Sequence, residues 1–226
     1  FGIMIKAPAY NYERSIFYRI TALWVICEAF AGGIMHGIKI PFSGMMVSSL
    51  AVFCIILWAG YIPSKTAILK ATIIVAVFKL KLSPHSPPTA YIALFFQGLT
   101  GMLLLNKRIF RFSAMLLAFL SLVESAIQRI LVLVIVYGNE FWQALDEFIK
   151  KVTGDKIISN YSFTLALLYL IIHAVVGLLV GYYSASFVQN AAEWQKKNPG
   201  YLISSEENEI IKPRKGAKKK KIKIFF

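Results

Sequence analysis

Residues 109–138 read IFRFSAMLLAFLSLVESAIQRILVLVIVYG, and they decide the fold class of this chain. About 20 predominantly apolar residues are enough for a helix to cross a bilayer, so this stretch predicts a transmembrane helix. Its middle nevertheless holds Glu124, Gln128 and Arg129. A charge at the centre of a membrane helix costs roughly 2.5–3.5 kcal/mol on insertion scales, so these side chains are expected to face other helices or a polar cavity.

Five further apolar stretches give the chain the pattern of a polytopic membrane protein. They cover residues 15–38, 42–62, 64–82, 89–105 and 161–188. The hydrophobic fraction is 58% and the mean hydropathy is +0.63, whereas about 45–50% apolar residues is usual for soluble domains. Residues 140–156 alternate apolar and charged positions at helical spacing, which predicts a helix on the membrane surface. We therefore predict an all-α protein with six transmembrane helices and an interfacial helix between the fifth and the sixth.

The charge distribution divides the chain into three parts. Residues 1–14 are predicted to be a cytoplasmic segment, residues 15–190 the membrane domain and residues 191–226 a basic cytoplasmic tail. From residue 190 onward, ten Lys and Arg stand against four Glu. Such a tail beside a membrane helix is typical of contact with anionic lipid. Because the tail lacks interleaved aromatic residues and any recognisable nucleic-acid module, nucleic acid is not an expected partner.

The basic residues of alternate loops indicate the orientation, since cytoplasmic loops are enriched in Lys and Arg. An N-terminus on the inside places the basic cluster of residues 107–111 and the tail in the cytoplasm, and it leaves residues 140–156 outside with four acids and three lysines. We predict a multi-pass protein of the bacterial inner (cytoplasmic) membrane with both termini cytoplasmic. Lys39, Lys79 and Lys81 then lie at the outer surface against the rule, a placement that favours contact with a ligand.

Polar side chains inside the predicted spans gather in the half of the bundle that this orientation makes the outer one. The depth of each residue follows from its position along its span, at a rise of about 1.5 Å per residue. An outward-facing pocket lined by these residues is expected, closed by the proline-rich segment of residues 83–88. The candidate ligand-binding residues are Glu28, His36, Lys79, His85, Gln97, Glu124, Gln128, Arg129 and His173.

An alternative interpretation makes the same residues structural. Glu124 and Gln128 are four residues apart and could bond to each other and to a neighbouring helix, while Glu28 could neutralise Lys70 or Arg129. Lys70 lies toward the inner side and is predicted to be a structural partner. His36 and His85 are loop residues for which a ligand contact and a purely structural role remain open.

Small residues recur at intervals of four on two predicted helices. They are Ala29, Gly33 and Gly37 on the first helix, and Gly177, Gly181 and Ala185 on the sixth. Such stripes let another helix approach closely. They indicate either packing within the chain or a docking surface for a partner membrane protein.

No motif of hydrolytic or nucleotide-dependent catalysis is present in the sequence. It contains no phosphate-binding Gly-rich loop ending in Lys-Ser or Lys-Thr, no His-Glu-x-x-His, no Gly-x-Ser-x-Gly and no Cys-x-x-Cys. Cys27 and Cys54 fall inside apolar spans and are interpreted as buried hydrophobes, so neither a disulfide nor a metal site is expected. We predict that the chain is not an enzyme and needs no cofactor.

Two alternatives remain open at the level of sequence. One is an intramembrane hydrolase or transferase, in which His36 or His85 would act with Glu28 or Glu124, and Ser83 or Ser86 would be the nucleophile. The other is a non-catalytic subunit or assembly factor of a larger membrane complex. In that case the charged residues would pair internally and no pocket would open outward.

Three segments resemble the first helix and first loop of a known transporter family. They are Arg19-Ile-Thr-Ala-Leu-Trp24, Ala29-Phe-Ala-Gly-Gly33 and Ile40-Pro-Phe-Ser-Gly44. With the six short spans over about residues 15–190, they resemble the substrate-binding S components of energy-coupling factor (ECF) transporters. The resemblance implies a binder of a vitamin-like nutrient that works with a separate transmembrane coupling protein and a pair of ATPases.

Overall fold

The computed structural model describes residues 9–31, 42–62, 64–84, 86–106, 108–153 and 161–198. Every regular element within these ranges is helical. Six helices follow one another along the chain: α1 (Ala9–Ile26), continued by a π-helical segment (Cys27–Ala31), α2 (Ser43–Tyr61), α3 (Lys65–Leu82), α4 (Pro88–Leu104), α5 (Phe110–Thr153) and α6 (Tyr161–Lys197). The all-α prediction is confirmed.

Helix α2 occupies the centre of the bundle, where it contacts each of the other five helices. Its middle is apolar on every side, and Val52, Ile55 and Ile56 are completely buried. The remaining helices follow around it in the order α1, α3, α4, α5, α6, since each touches the next. Within the described ranges α1 and α6 do not meet, so the ring around α2 is open between them.

The boundaries of α3 and α4 lie close to the predicted ones, because proline and serine residues stand where these helices begin and end. Helix α3 begins directly after Ser64, and Pro88 stands in the first turn of α4, where its missing N–H costs nothing. The two helices pack closely. A Cβ added to Gly98 would lie 2.2 Å from Oγ1 of Thr72, so this contact requires glycine.

Helix α5 changes direction at Gly138, which has φ 63° and ψ −161°, a non-helical conformation that glycine adopts readily. The break falls where the sequence predicted the end of the fifth span. Beyond it the chain is helical again up to Thr153, over most of the predicted surface helix of residues 140–156. Asp146 of this second segment accepts hydrogen bonds from the backbone N–H of Ser162 at 2.6 Å and from its hydroxyl at 3.0 Å, which ties the segment to the first turn of α6.

Helices α5 and α6 form the closest pair in the bundle. A Cβ added to Gly177 would lie 2.9 Å from the carbonyl oxygen of Ala118, and one added to Gly181 would lie 2.5 Å from Cα of Met115. Backbone therefore meets backbone at both positions. The stripe of small residues on the sixth helix therefore packs against α5 of the same chain.

Three helices are long and apolar enough to cross a membrane, by length and composition: α2, the first part of α5, and α6. Helix α4 is apolar but shorter. Large apolar side chains point outward from the bundle, and Ile135, Phe163 and Leu103 are 79%, 70% and 69% exposed. Such a surface suits hydrocarbon rather than water, so the structure is that of a membrane protein.

Replacing Gly181 by Ala is expected to lower the unfolding temperature in detergent by several degrees, because the backbone of α5 at Met115 must move to admit a methyl group. Leu179→Ala is the matched control, since Leu179 is on the same helix and is 50% exposed. Tryptophan fluorescence during heating measures both. Equal unfolding temperatures for Gly181→Ala and the unmodified protein would contradict the close packing of α5 on α6.

Candidate functional site

A buried ion pair joins the π-helical segment to α3. Nζ of Lys79 lies 2.6 Å from Oε2 of Glu28, and both residues are less than 5% exposed. One turn further along α3, the Ser83 hydroxyl donates to the carbonyl oxygen of Ala29 at 2.8 Å. The ring of Tyr91 on α4 lies 5.8 Å from the same Nζ. Two predicted ligand residues, Glu28 and Lys79, are therefore partners of each other.

The sequence suggested other partners for Glu28, namely Lys70 or Arg129. Both of those side chains are exposed, and Lys79 takes the position instead. Lys79 is the better placed residue because it lies near the same end of the bundle as Glu28, whereas Lys70 lies about 13 Å further along α3 at 1.5 Å per residue. The structural role predicted for Lys70 has no contact to support it among the described residues.

A second polar contact lies deeper in the bundle, between α2 and α4. Nε2 of Gln97 donates to the hydroxyl of Ser48 at 3.1 Å, and both residues are buried. Oε1 of the same Gln97 is buried and has no hydrogen-bond partner in the part of the chain that the structure describes. Gln97 was a predicted ligand residue, whereas Ser48 was not singled out.

Helix α5 presents a polar stripe toward this contact. A Cβ added to Gly101 of α4 would lie 2.7 Å from Ile55 of α2 and 3.7 Å from Leu117 of α5, which fixes the relative heights of the three helices. Gln97 lies four residues from Gly101 on α4, and Ser121 lies four residues from Leu117 on α5. Each step is about 6 Å along its helix axis, so Gln97 and Ser121 lie at the same level. Ser121 and Glu124 follow Leu117 at the spacing of one helical face.

The stripe carries further unpartnered atoms. Ser121 is completely buried, and within the described ranges its hydroxyl has no partner. Nε2 of Gln128 donates to Oε1 of Glu124, as the sequence suggested, but Oε2 of Glu124 is buried and unpartnered among the same residues. We call Ser48, Gln97, Ser121 and Glu124 the polar cluster. Three helices contribute to it, and three of its atoms lack a partner.

His173 lies on the other side of α5, between α6 and the beginning of α2. Its Nδ1 lies 2.9 Å from the carbonyl oxygen of Tyr169, to which a protonated Nδ1 donates; in the neutral imidazole Nε2 is then an acceptor. Nε2 is buried without a partner among the described residues. The rings of Tyr169 and Phe42 surround the imidazole at centroid distances of 4.2 and 6.1 Å. This aromatic group is separate from the polar cluster.

The remaining predicted residues divide between exposed and undescribed positions. Arg129 is exposed on α5. His36, His85, Gly33 and Gly37 lie outside the described residues. Ser83, the candidate nucleophile, donates its hydroxyl proton to a backbone carbonyl.

Ser48 and Ser121 are cluster members that sequence reasoning missed. Ser121 stands three residues before Glu124 and thus on the same helical face, which was a usable signal. Ser48 has no such marker, since serine is common in membrane helices and bonds readily to its own backbone.

Among the described residues there is no group of three or more His, Cys, Asp and Glu that could hold a metal ion. Comparison of the chain with protein-family models, curated proteins and solved structures gave no match.

Lys79→Met alone is expected to destabilise the protein by about 3–5 kcal/mol, because it leaves the Glu28 carboxylate buried without a partner. Glu28→Gln combined with Lys79→Met should recover much of that loss, since neither charge then remains. Unfolding temperatures of the single and double variants measure the coupling. Additive losses in the double variant would show that the two side chains do not depend on each other.

Proposed function

We propose that the chain is the substrate-binding component of a small-molecule uptake transporter in the bacterial inner membrane. Its pocket faces the outer side and takes a vitamin-like nutrient. The single observation that carries this proposal is the polar cluster, in which Oε1 of Gln97, Oγ of Ser121 and Oε2 of Glu124 are buried without partners in the part of the chain described.

Unpartnered buried groups are costly, which makes their concentration informative. Each unsatisfied donor or acceptor costs about 1–3 kcal/mol. Three such atoms on two neighbouring helices, within about 4.5 Å of axial height, fit a site whose hydrogen bonds are completed by a bound molecule. His173 adds a fourth acceptor on the other side of α5.

The proposed membrane arrangement has six transmembrane helices with both termini in the cytoplasm. Helix α3 carries four lysines, which lowers its mean hydropathy, but Lys79 is neutralised by Glu28, and Lys65 and Lys81 stand near its two ends. Such lysines reach the membrane surface along their aliphatic stems. In this orientation the polar cluster and the ion pair both lie in the outer half.

The energy for uptake would come from other chains. The sequence has no phosphate-binding loop, so we propose a transmembrane coupling protein and ATPases as partners, as the resemblance to S components implies. Gly177 and Gly181 are packed against α5 and Ala29 is buried, so the docking surface proposed from the sequence rests on Gly33 and Gly37, which lie outside the described residues. The basic tail is proposed to contact anionic lipid.

A subunit or assembly factor of a larger membrane complex is the second candidate. It predicts internally paired charges, and the ion pair between Glu28 and Lys79 is one. The unpartnered atoms of the polar cluster favour the binding function over this alternative.

Gln97→Leu and Ser121→Ala are expected to abolish co-purification of the bound small molecule. Ser121→Ala should leave the unfolding temperature of the empty protein unchanged or raised, because it removes an unpaired buried hydroxyl, whereas Gln97→Leu also removes the hydrogen bond to Ser48 and should lower that temperature slightly. Thr100→Val on α4 is the matched control, since its hydroxyl already donates to the carbonyl of Phe96. Mass spectrometry of the denatured protein identifies the ligand. The proposal would be overturned if the purified protein carried no small molecule and if none of a panel of vitamins changed its unfolding temperature.

The orientation predicts which introduced cysteines react from outside. Gln143→Cys lies on the segment that follows Gly138 and should react with a membrane-impermeant maleimide in intact cells. Asn198→Cys, just past the end of α6, should react only after permeabilisation. The unmodified protein gives the background from Cys27 and Cys54. The reverse labelling pattern would show that the orientation in the membrane is opposite to the proposed one.

A further inference from the structure

No charged side chain among the described residues pairs with the Glu124 carboxylate of the polar cluster. Its Oε1 accepts a hydrogen bond from Gln128, and its Oε2 is buried without a partner among the described residues. The salt bridge found in these ranges joins Glu28 to Lys79, and Glu124 takes part in none. A buried carboxylate is stable when a cation pairs with it, since desolvation otherwise favours the neutral form.

Lys79, Arg129 and Lys70 form no ion pair with Glu124 among the described residues. Lys79 is bound to Glu28. Arg129 is exposed, and five residues along a helix place it about 140° around α5 from Glu124. Lys70 is exposed on α3, a helix that does not contact α5 within the described ranges.

The other free atoms of the cluster are also acceptors or can act as acceptors. Gln97 uses its amide nitrogen as the donor to Ser48, which leaves Oε1 to accept. The Ser121 hydroxyl donates or accepts. A molecule that satisfies Oε1 of Gln97 and the ionised Glu124 carboxylate must therefore present donors, at least one of them toward a negative charge.

We propose that the molecule bound at the polar cluster carries a compact nitrogen cation with several N–H donors. A protonated amine, an amidinium group or a protonated amino-substituted heterocycle has this chemistry. Its charged group pairs with Oε2 of Glu124, and further N–H groups reach Oε1 of Gln97 and Oγ of Ser121, about 4.5 Å away along the axis. This inference rests on the proposed binding function and names the class of its substrate.

The test uses three probes of one shape that differ in charge: benzamidinium, benzamide and benzoate. The full-length protein in detergent is heated with each probe at millimolar concentration, and the small molecule that co-purifies is identified separately by mass spectrometry. Benzamidinium is expected to raise the unfolding temperature and to displace the co-purified molecule. Benzoate is expected to do neither.

Glu124→Gln should weaken the response to benzamidinium at least tenfold in half-saturating concentration. Glu124→Asp, which keeps the charge on a shorter side chain, should retain more binding than Glu124→Gln and covers the case in which the amide variant folds poorly. Glu140→Gln is the matched control, because Glu140 is exposed beyond Gly138 and should leave the response unchanged.

The outcomes separate this inference from the function it rests on. Protection by benzoate, an unchanged response in Glu124→Gln, or a co-purified anion without N–H groups would overturn the cationic class while leaving a binding protein. Absence of a co-purified molecule together with indifference to all three probes and to a vitamin panel would overturn both.

Discussion

Burial of α2 among the five other helices is the constraint on which the rest of the structure depends. Its middle is uniformly apolar, and the other helices are positioned by contact with it. Its N-terminal part departs from this pattern, since Ser48 bonds to Gln97 and Gly44 allows α5 to approach at Ser125. The polar cluster forms at that end because α2 offers a small polar surface there in place of a branched apolar one.

The fold was largely predictable from sequence because hydrophobic length and proline placement act locally. Pro88, Gly138 and Tyr161 mark helix boundaries that the sequence indicated. The number of helices that cross a membrane was harder to predict from the sequence. The lysines of α3 lower its apparent hydropathy, and the neutralisation of Lys79 is visible only once α3 packs on the π-helical segment.

Two members of the polar cluster, Gln97 and Glu124, were predicted from the sequence, but the contacts between polar residues of different helices were not. Position along the spans brought Gln97 and Glu124 into the same half of the bundle. It did not identify Lys79 as the partner of Glu28, because these residues are 51 positions apart and their contact depends on helix order and rotation. Ser48 and Ser121 were missed for a related reason: the Ser48 hydroxyl matters because Gln97 of another helix donates to it, and the Ser121 hydroxyl because it has no partner among the described residues, and neither fact can be read from the sequence.

The contact of backbone with backbone at Gly177 and Gly181 has a mechanical consequence. No side chain separates α5 from α6 at these glycines, so rotation of one helix against the other is restricted. Hydrogen bonds join the pair near its two ends, from Arg111 to Gln189 at 2.7 Å and from Ser162 to Asp146. We therefore expect the two helices to move together as one rigid unit. Helix α1 touches only α2 and α3 among the described elements and forms the yielding wall of the bundle. We therefore expect any widening of the interior to begin on the α1 side, because α1 has fewer neighbouring helices than α5, which carries Glu124.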